Sequence, residues 1–189
     1  MSGLSAFRQK KIAHEFRLLD LNGDGHLGKE DFQLAAARLG AAMGWGASEP
    51  KLAALIERRE SEWDEICLAS DFDGSNTVDP EEYLRFYAQV TRGLTPQIET
   101  IPGWYRKVCA TRVDCIDLDE DGLVTLEEYR RFMTAHGRND FDIEACFNHL
   151  DLKQTGHLDH EECVVLCLQF YLGEDPALPG NSLWGPLPN

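Results

Sequence analysis

Residues 117–128 read DLDEDGLVTLEE, and this stretch decides the fold. Asp117, Asp119 and Asp121 stand at positions 1, 3 and 5 of the window, Gly122 follows at position 6, and Glu128 closes it at position 12. Three further windows keep the same order of residue types: 20–31 (DLNGDGHLGKED), 71–82 (DFDGSNTVDPEE) and 151–162 (DLKQTGHLDHEE). The chain is therefore built on an internal repeat.

The acidic charge of the chain is concentrated in these windows. The sequence has 33 acidic and 18 basic side chains in 189 residues, a formal charge of −15. The four windows hold 19 of the 33 acidic residues in only 48 positions. Surface charge that serves solubility would be spread more evenly, so this clustering indicates cation binding.

The spacing within each window suits Ca²⁺. This ion takes six to eight oxygen ligands, which a short loop supplies from alternate side chains, a backbone carbonyl at position 7 and a longer carboxylate at position 12. Position 6 needs a positive φ, which glycine adopts without steric cost. Four copies identify the EF-hand, a helix–loop–helix unit, and predict an all-α protein.

We expect the first three loops to bind metal. Asn76 stands at position 6 of the second loop, and Asn tolerates the left-handed region better than other non-glycine residues. Asp79 at position 9 of that loop adds a carboxylate, whereas Thr125 in the third acts through water or not at all. The predicted ligands are Asp20, Asn22, Asp24, the His26 carbonyl and Asp31; Asp71, Asp73, Ser75, the Thr77 carbonyl and Glu82; and Asp117, Asp119, Asp121, the Leu123 carbonyl and Glu128.

The first loop closes with Asp31, where the others have Glu. Its side chain is one methylene shorter and reaches the ion with one oxygen instead of two. Fewer oxygens favour six-coordination, which Mg²⁺ accepts more readily. We therefore predict a mixed Ca²⁺/Mg²⁺ site in this loop.

The fourth loop has Lys153 at position 3, where a ligand oxygen belongs. An ammonium group there repels Ca²⁺. We predict a structural hand that supports the third loop without binding an ion. EF-hands fold in pairs, so the apolar residues at position 8 should form two short antiparallel ladders, Leu27 with Val78 and Val124 with Leu158.

The flanking segments have helical periodicity. Ile12, Phe16 and Leu19 precede the first loop at i, i+4 and i+7, and Ile143, Phe147 and Leu150 precede the fourth in the same way. Ser48-Glu49-Pro50 is typical of a capped helix start, and Asp140 is a candidate cap for the helix that enters the fourth loop.

Beyond the loops, the chain resembles the group that includes the sarcoplasmic calcium-binding proteins, calexcitin, calerythrin and the coelenterazine-binding proteins. The resemblance rests on Glu30-Asp31-Phe32, on Trp63 in the long first linker, on the tail 180–187, and on the segment from Cys115-Ile116-Asp117 to Cys146-Phe147-Asn148. The chain has three intact loops followed by a damaged fourth, and this pattern is similar to that of the sarcoplasmic proteins and calexcitin. Photoproteins and luciferin-binding members typically lose the second loop instead.

The resemblance implies two EF-hand pairs packed face to face into a compact globule. We predict an N-terminal pair over 1–91, a linker over 92–103, a C-terminal pair over 104–173, and a tail over 174–189 that packs on the globule. We expect a monomer.

The composition favours a calcium buffer over a calcium sensor. A sensor exposes a Met-rich groove when calcium binds, and this chain has three methionines, including Met1. Its large side chains are aromatic, and we expect most of them in a closed core. A sensor that binds a protein target is the alternative.

A third hypothesis is that the protein binds a small apolar ligand such as a luciferin. Two facing EF-hand pairs can enclose a cavity. The candidate contacts are Trp104, Tyr105, His136, His149 and Trp184.

Other classes of function have little support. Nucleic-acid binding needs basic patches, and none stands out; no apolar run approaches the roughly 20 residues that span a bilayer. Residues 1–11 do not resemble a signal peptide, so we expect a cytoplasmic protein. The six cysteines lack Cys-x-x-Cys spacing and are expected to be free and mostly buried. No catalytic motif is present, so we expect no enzyme.

Overall fold

The computed structural model describes residues 3–188, and their side chains except those of 110–113. The described residues form eight α-helices and two short strands. The helices are α1 (Ala6–Leu19), α2 (Lys29–Ala42), α3 (Pro50–Ser70), α4 (Pro80–Val90), α5 (Gly103–Asp114), α6 (Leu126–Ala135), α7 (Ile143–Leu150) and α8 (His160–Leu172), and the strands are β1 (Leu123–Thr125) and β2 (His157–Asp159). The predicted all-α class is confirmed.

Each acidic window lies between two helices, as a helix–loop–helix unit requires. The first loop joins α1 to α2, the second joins α3 to α4, the third joins α5 to α6, and the fourth joins α7 to α8. The apolar positions predicted for α1, Ile12, Phe16 and Leu19, are all buried. The periodicity read from the sequence therefore identifies the face that this helix turns to the core.

The loops pair two by two through their position-8 residues, as predicted. Strands β1 and β2 are antiparallel, with Val124 opposite Leu158. In the other pair, Leu27 and Val78 form a single antiparallel bridge and exchange backbone hydrogen bonds of 2.8 and 2.9 Å. All four side chains are buried.

Two predicted helix starts differ in detail. Asp142, not Asp140, caps α7, because its carboxylate accepts a hydrogen bond of 2.9 Å from the N–H of Ala145. Asp140 instead pairs with Arg138 at 3.1 Å. Helix α3 does begin at Pro50, but Glu49 is its N-cap residue and makes no side-chain cap.

One continuous apolar core runs through both loop pairs. Helix α1 packs against α8, and α2 packs against α6, so each pair covers apolar surface of the other. Residues after α8 cover the same core: a short 3₁₀ helix, Pro179–Ser182, packs on α8, and Leu183 and Trp184 are buried.

The buried ammonium of Lys11 fixes this last segment in place. Its Nζ donates to the carbonyls of Gln169 (3.0 Å) and Gly173 (2.8 Å) and to Asn181 Oδ1 (3.0 Å).

The division into units over 1–91, 92–103, 104–173 and 174–189 stays a prediction, and residues 1, 2 and 189 lie outside the described part.

Candidate metal centres

The second loop brings three carboxylates together. Asp71, Asp73 and Glu82 each offer an oxygen, and these oxygens lie within 4.8 Å of one another. Asn76 turns the chain between them with φ 63°, so it occupies the left-handed region predicted for position 6. The arrangement offers a hard cation an all-oxygen shell.

The third loop forms an equivalent cluster from Asp117, Asp119 and Glu128, again within 4.8 Å. Burial raises the pKa of Asp117, and the neighbouring carboxylates of Glu128 and Asp121 raise it further, against the hydrogen bonds that the backbone donates. Carboxylates held this close repel one another. A divalent cation between them removes that repulsion.

In both loops the position-12 carboxylate also caps a helix. Glu128 Oε1 accepts from the N–H of Leu118 and Oε2 accepts from that of Thr125, both at 2.9 Å. Thr125 Oγ1 accepts from the N–H of Glu128 in return at 3.3 Å. Glu82 and Asp79 form the same reciprocal pair in the second loop.

This capping role of position 9 was not among the predictions from the sequence. The signal was present, because Asp-x-x-Glu and Thr-x-x-Glu before a helical segment are capping-box patterns. The consequence is that the closing ligand is tied to the first turn of the exiting helix. A movement of that carboxylate onto an ion therefore acts on the helix itself.

The described residues of the first loop do not form a cluster of three close carboxylates, because Asn22 replaces a carboxylate at position 3. Its closing residue, Asp31, is buried; Oδ1 accepts from the N–H groups of Leu21 (2.9 Å) and Asn22 (3.0 Å), and Oδ2 accepts from that of Gly28 (2.9 Å). Burial raises the pKa of Asp31 in spite of these bonds. The short side chain is thus held close to the backbone.

The fourth loop contains its own cation. Lys153 Nζ lies 2.5 Å from Asp159 Oδ2 and 3.6 Å from Glu161 Oε2. The hydrogen bond with Asp159 raises the pKa of Lys153, and the same bond lowers the pKa of Asp159. Both directions agree that this ion pair is charged, so an ammonium neutralises a carboxylate of the loop.

The chemistry of these donors fits calcium. Carboxylate, amide, hydroxyl and carbonyl oxygens make up the predicted sets of the first three loops, without nitrogen or sulfur side-chain donors. Oxygen sets of this kind suit Ca²⁺ or Mg²⁺ and not the softer transition metals.

The five residues suggested as contacts for an apolar ligand do not converge. Trp104 and His149 are exposed, whereas Tyr105, His136 and Trp184 are buried. His136 and Trp184 lie near each other, because both rings contact that of Phe132. A small pocket of about 10 Å³ touches Phe132 and Trp184.

The cysteines follow their predicted pattern. Cys109, Cys115, Cys163 and Cys167 are buried, Cys67 and Cys146 are half-buried, and all six are free. None of them belongs to the clusters of metal-binding side chains found in the described part of the chain.

The chain is similar to known EF-hand and calcium-binding proteins. The family model of the EF hand matches residues 12–34 and 114–133, which contain the first and third loops. The luciferin-binding protein of Renilla reniformis is 28% identical over 187 residues, covering 96% of this chain and 95% of that protein. Sarcoplasmic calcium-binding proteins I, III and IV of Branchiostoma lanceolatum are 26% identical over 188 residues, covering 98% and 100%.

The fold has a solved counterpart. The crystal structure of the coelenterazine-binding protein from Renilla muelleri, in its calcium-loaded apo form, matches with a TM-score of 0.75 at 23% identity, over 97% of this chain and 100% of that one. Within residues 3–188, no helix combines the length and apolar character of a membrane span.

Proposed function

We propose that this chain, an EF-hand protein similar along its length to sarcoplasmic calcium-binding proteins, acts as a calcium buffer. Three loops bind ions and the fourth is structural. The proposal rests on the two carboxylate clusters in the second and third loops. It extends to the first loop through its ligand spacing.

The closed core supports a buffer over a sensor. The large aromatic side chains buried in this core include Phe16, Phe32, Trp63, Tyr87, Tyr105, Phe132, Phe147, Phe170 and Tyr171. Met133 is buried, and Met43 is half-buried against Arg131. The adaptable Met-rich groove that a sensor presents to its target has no counterpart among these residues.

Isothermal titration with Ca²⁺, followed by dye binding, tests the proposal. We expect three calcium ions per chain and little change in the fluorescence of a dye that reports exposed apolar surface. A strong calcium-dependent rise in dye fluorescence would instead support a sensor. Fewer than two ions per chain would overturn the assignment of the loops.

We further propose that Mg²⁺ competes at the first loop. The Asp31→Glu variant gains the second oxygen of a full-length closing ligand, so millimolar Mg²⁺ should reduce its calcium affinity less than that of the parent. The reciprocal variant Glu82→Asp in the second loop should become more sensitive to Mg²⁺. Unchanged competition in both variants would contradict the proposal.

A luciferin-type ligand is a second candidate function. The similarity to the Renilla luciferin-binding protein along the whole chain favours it. So does Trp184, because its buried Nε1 has no acceptor among the described residues and its side chain lines the small pocket. The pocket must enlarge to hold such a ligand. Mixing the protein with coelenterazine, with and without calcium, should produce an absorbance shift if this candidate is correct.

A further inference from the structure

One cleft on the surface has basic side chains in its lining, whereas the calcium loops are acidic. It has a volume of about 540 Å³ and lies between α1, the connection from α6 to α7, and the segment 186–188. Two arginines and a histidine line it, Arg17, Arg138 and His14, with a single carboxylate from Asp140. The two guanidinium groups give this cleft a positive charge in a chain of formal charge −15.

The positive charge of the cleft is only partly neutralised. Arg138 Nε donates to Asp140 Oδ1 at 3.1 Å, which compensates one guanidinium. Arg17 is exposed and takes part in no hydrogen bond or ion pair with the residues that the structure describes. It stands in the last turn of α1, where a cation is favourable to the helix dipole. Its five N–H donors nevertheless stay available to a ligand.

Arg138 Nη1 is a second donor in the cleft that lacks an acceptor among the described residues. His14 Nε2 lies 2.9 Å from the carbonyl oxygen of Trp184, and because a carbonyl only accepts, the ring nitrogen carries the proton. Arg138 Nη1 lies 3.3 Å from that same nitrogen. Two donors therefore face each other, and an acceptor placed beside them would satisfy Nη1.

The rest of the lining is apolar. Leu18, Phe141 and Leu187 contribute to the walls, and Arg138 lies over the Phe141 ring at 5.4 Å from its centroid. A ligand that fits this cleft has an anionic group for the guanidinium groups and an apolar body for the walls. Planar guanidinium groups bind carboxylates with paired hydrogen bonds.

We propose that this cleft is a binding site for a small amphipathic anion, a carboxylate carried on an apolar body. The site is separate from the four loops and does not depend on the proposed buffering function. The electrostatic attraction is local, because the remainder of the chain is strongly acidic.

The test uses 2-naphthoate as the probe and the calcium-saturated full chain as the protein. We expect saturable binding by titration calorimetry or probe fluorescence. The neutral 2-naphthamide, which has the same ring system, should bind at least tenfold more weakly because it lacks the charge. Equal binding of the two compounds, or no saturable binding of naphthoate at millimolar concentration, would overturn the proposal.

Matched variants locate the site. Arg17→Gln should weaken naphthoate binding about tenfold or more, since a hydrogen bond to a charged group is lost. Arg130→Gln is the control, because Arg130 lies on α6 and pairs with Glu127 and Glu144 away from the cleft. Calcium stoichiometry and helix content should stay unchanged in both variants. Equal losses of naphthoate affinity in the two variants, or no loss in Arg17→Gln, would place the binding elsewhere.

Discussion

Lys153 occupies position 3 of the fourth loop, where the second and third loops have an aspartate. The other residues of that loop are compatible with calcium: Asp151 at position 1, Gly156 at position 6 with φ 83°, and Glu162 at position 12. The ammonium of Lys153 lies at 2.5 Å from Asp159, so it takes one carboxylate of the loop as its own partner. We therefore propose that this single side chain keeps the fourth loop from binding an ion.

Replacing Lys153 with Asp should therefore create a fourth calcium site. The change removes the repelling charge and supplies an oxygen at position 3, as in the second and third loops. Equilibrium dialysis should give one more calcium ion per chain than the parent. Lys153→Met is the control, since it removes the charge without adding a ligand. Failure of Lys153→Asp to gain an ion at millimolar calcium would show that other features disable the loop.

His136 makes the stability of the fold depend on pH. Burial, and then the neighbouring Arg59, lower its pKa to about 3. In the unfolded chain a histidine titrates near 6.5. As the pH falls below about 6.5 the unfolded state takes up a proton that the folded state does not, so the free energy of unfolding falls with decreasing pH by about 1.4 kcal/mol per pH unit.

The His136→Asn variant should lose this contribution. Urea denaturation between pH 7 and pH 5.5 should show a smaller loss of stability in the variant than in the parent. The comparison concerns the slope and not the absolute stability, so any packing defect of the variant cancels. Equal slopes would mean that the pKa of His136 is not lowered in the folded protein.

At the scale of the elements, the loops and their pairing were predictable because ligand spacing and position-8 residues are local features. The cap of α7 was not, because Asp140 and Asp142 are both suitable cap residues, and the sequence does not show that Asp140 pairs with Arg138 instead. The cationic cleft was also hidden, since α1, the α6–α7 connection and the last segment are distant in sequence. Features formed by residues close in sequence can be predicted from the sequence, whereas a site formed by distant segments can be identified only from the fold.

The contact between α3 and the end of α6 is such an assembled feature. Arg59 is buried; its Nη1 donates to Glu62 at 2.7 Å and its Nη2 to His136 Nε2 at 3.3 Å. His136 Nδ1 in turn donates to the carbonyl of Phe132 at 2.8 Å. A buried charge from one loop pair is thereby satisfied by groups of both pairs.

Arg59→Met should lower the free energy of unfolding by about 3 kcal/mol, because the hydrogen bonds of a buried guanidinium to Glu62 and His136 are lost. The adjacent Arg58 is the control: it pairs with Glu120, whose side chain is 75% exposed, so Arg58→Met should cost less than about 1 kcal/mol. Urea denaturation measures both. Equal effects of the two single variants would contradict this expectation.

At the scale of the whole molecule, the two loop pairs share one core and are expected to unfold together. Helix α1 packs on α8 and α2 on α6, and Arg38 Nη1 donates to the Ala135 carbonyl across the same boundary at 3.1 Å. Separating the pairs would expose this shared apolar surface. Ion binding anywhere in the first three loops should therefore stabilise the entire chain.

Calorimetry should accordingly show a single unfolding transition that moves upward with calcium. Three ions add six positive charges to a chain of formal charge −15, which relieves the repulsion within the loops. At a free concentration 100 times the dissociation constant, each site contributes about 2.7 kcal/mol, or about 8 kcal/mol for three. With about 2–4 °C per kcal/mol for a chain of this size, the midpoint should rise by at least about 15 °C relative to the chelated protein. Two transitions with separate calcium dependence would show instead that the pairs at 1–91 and 104–173 fold independently.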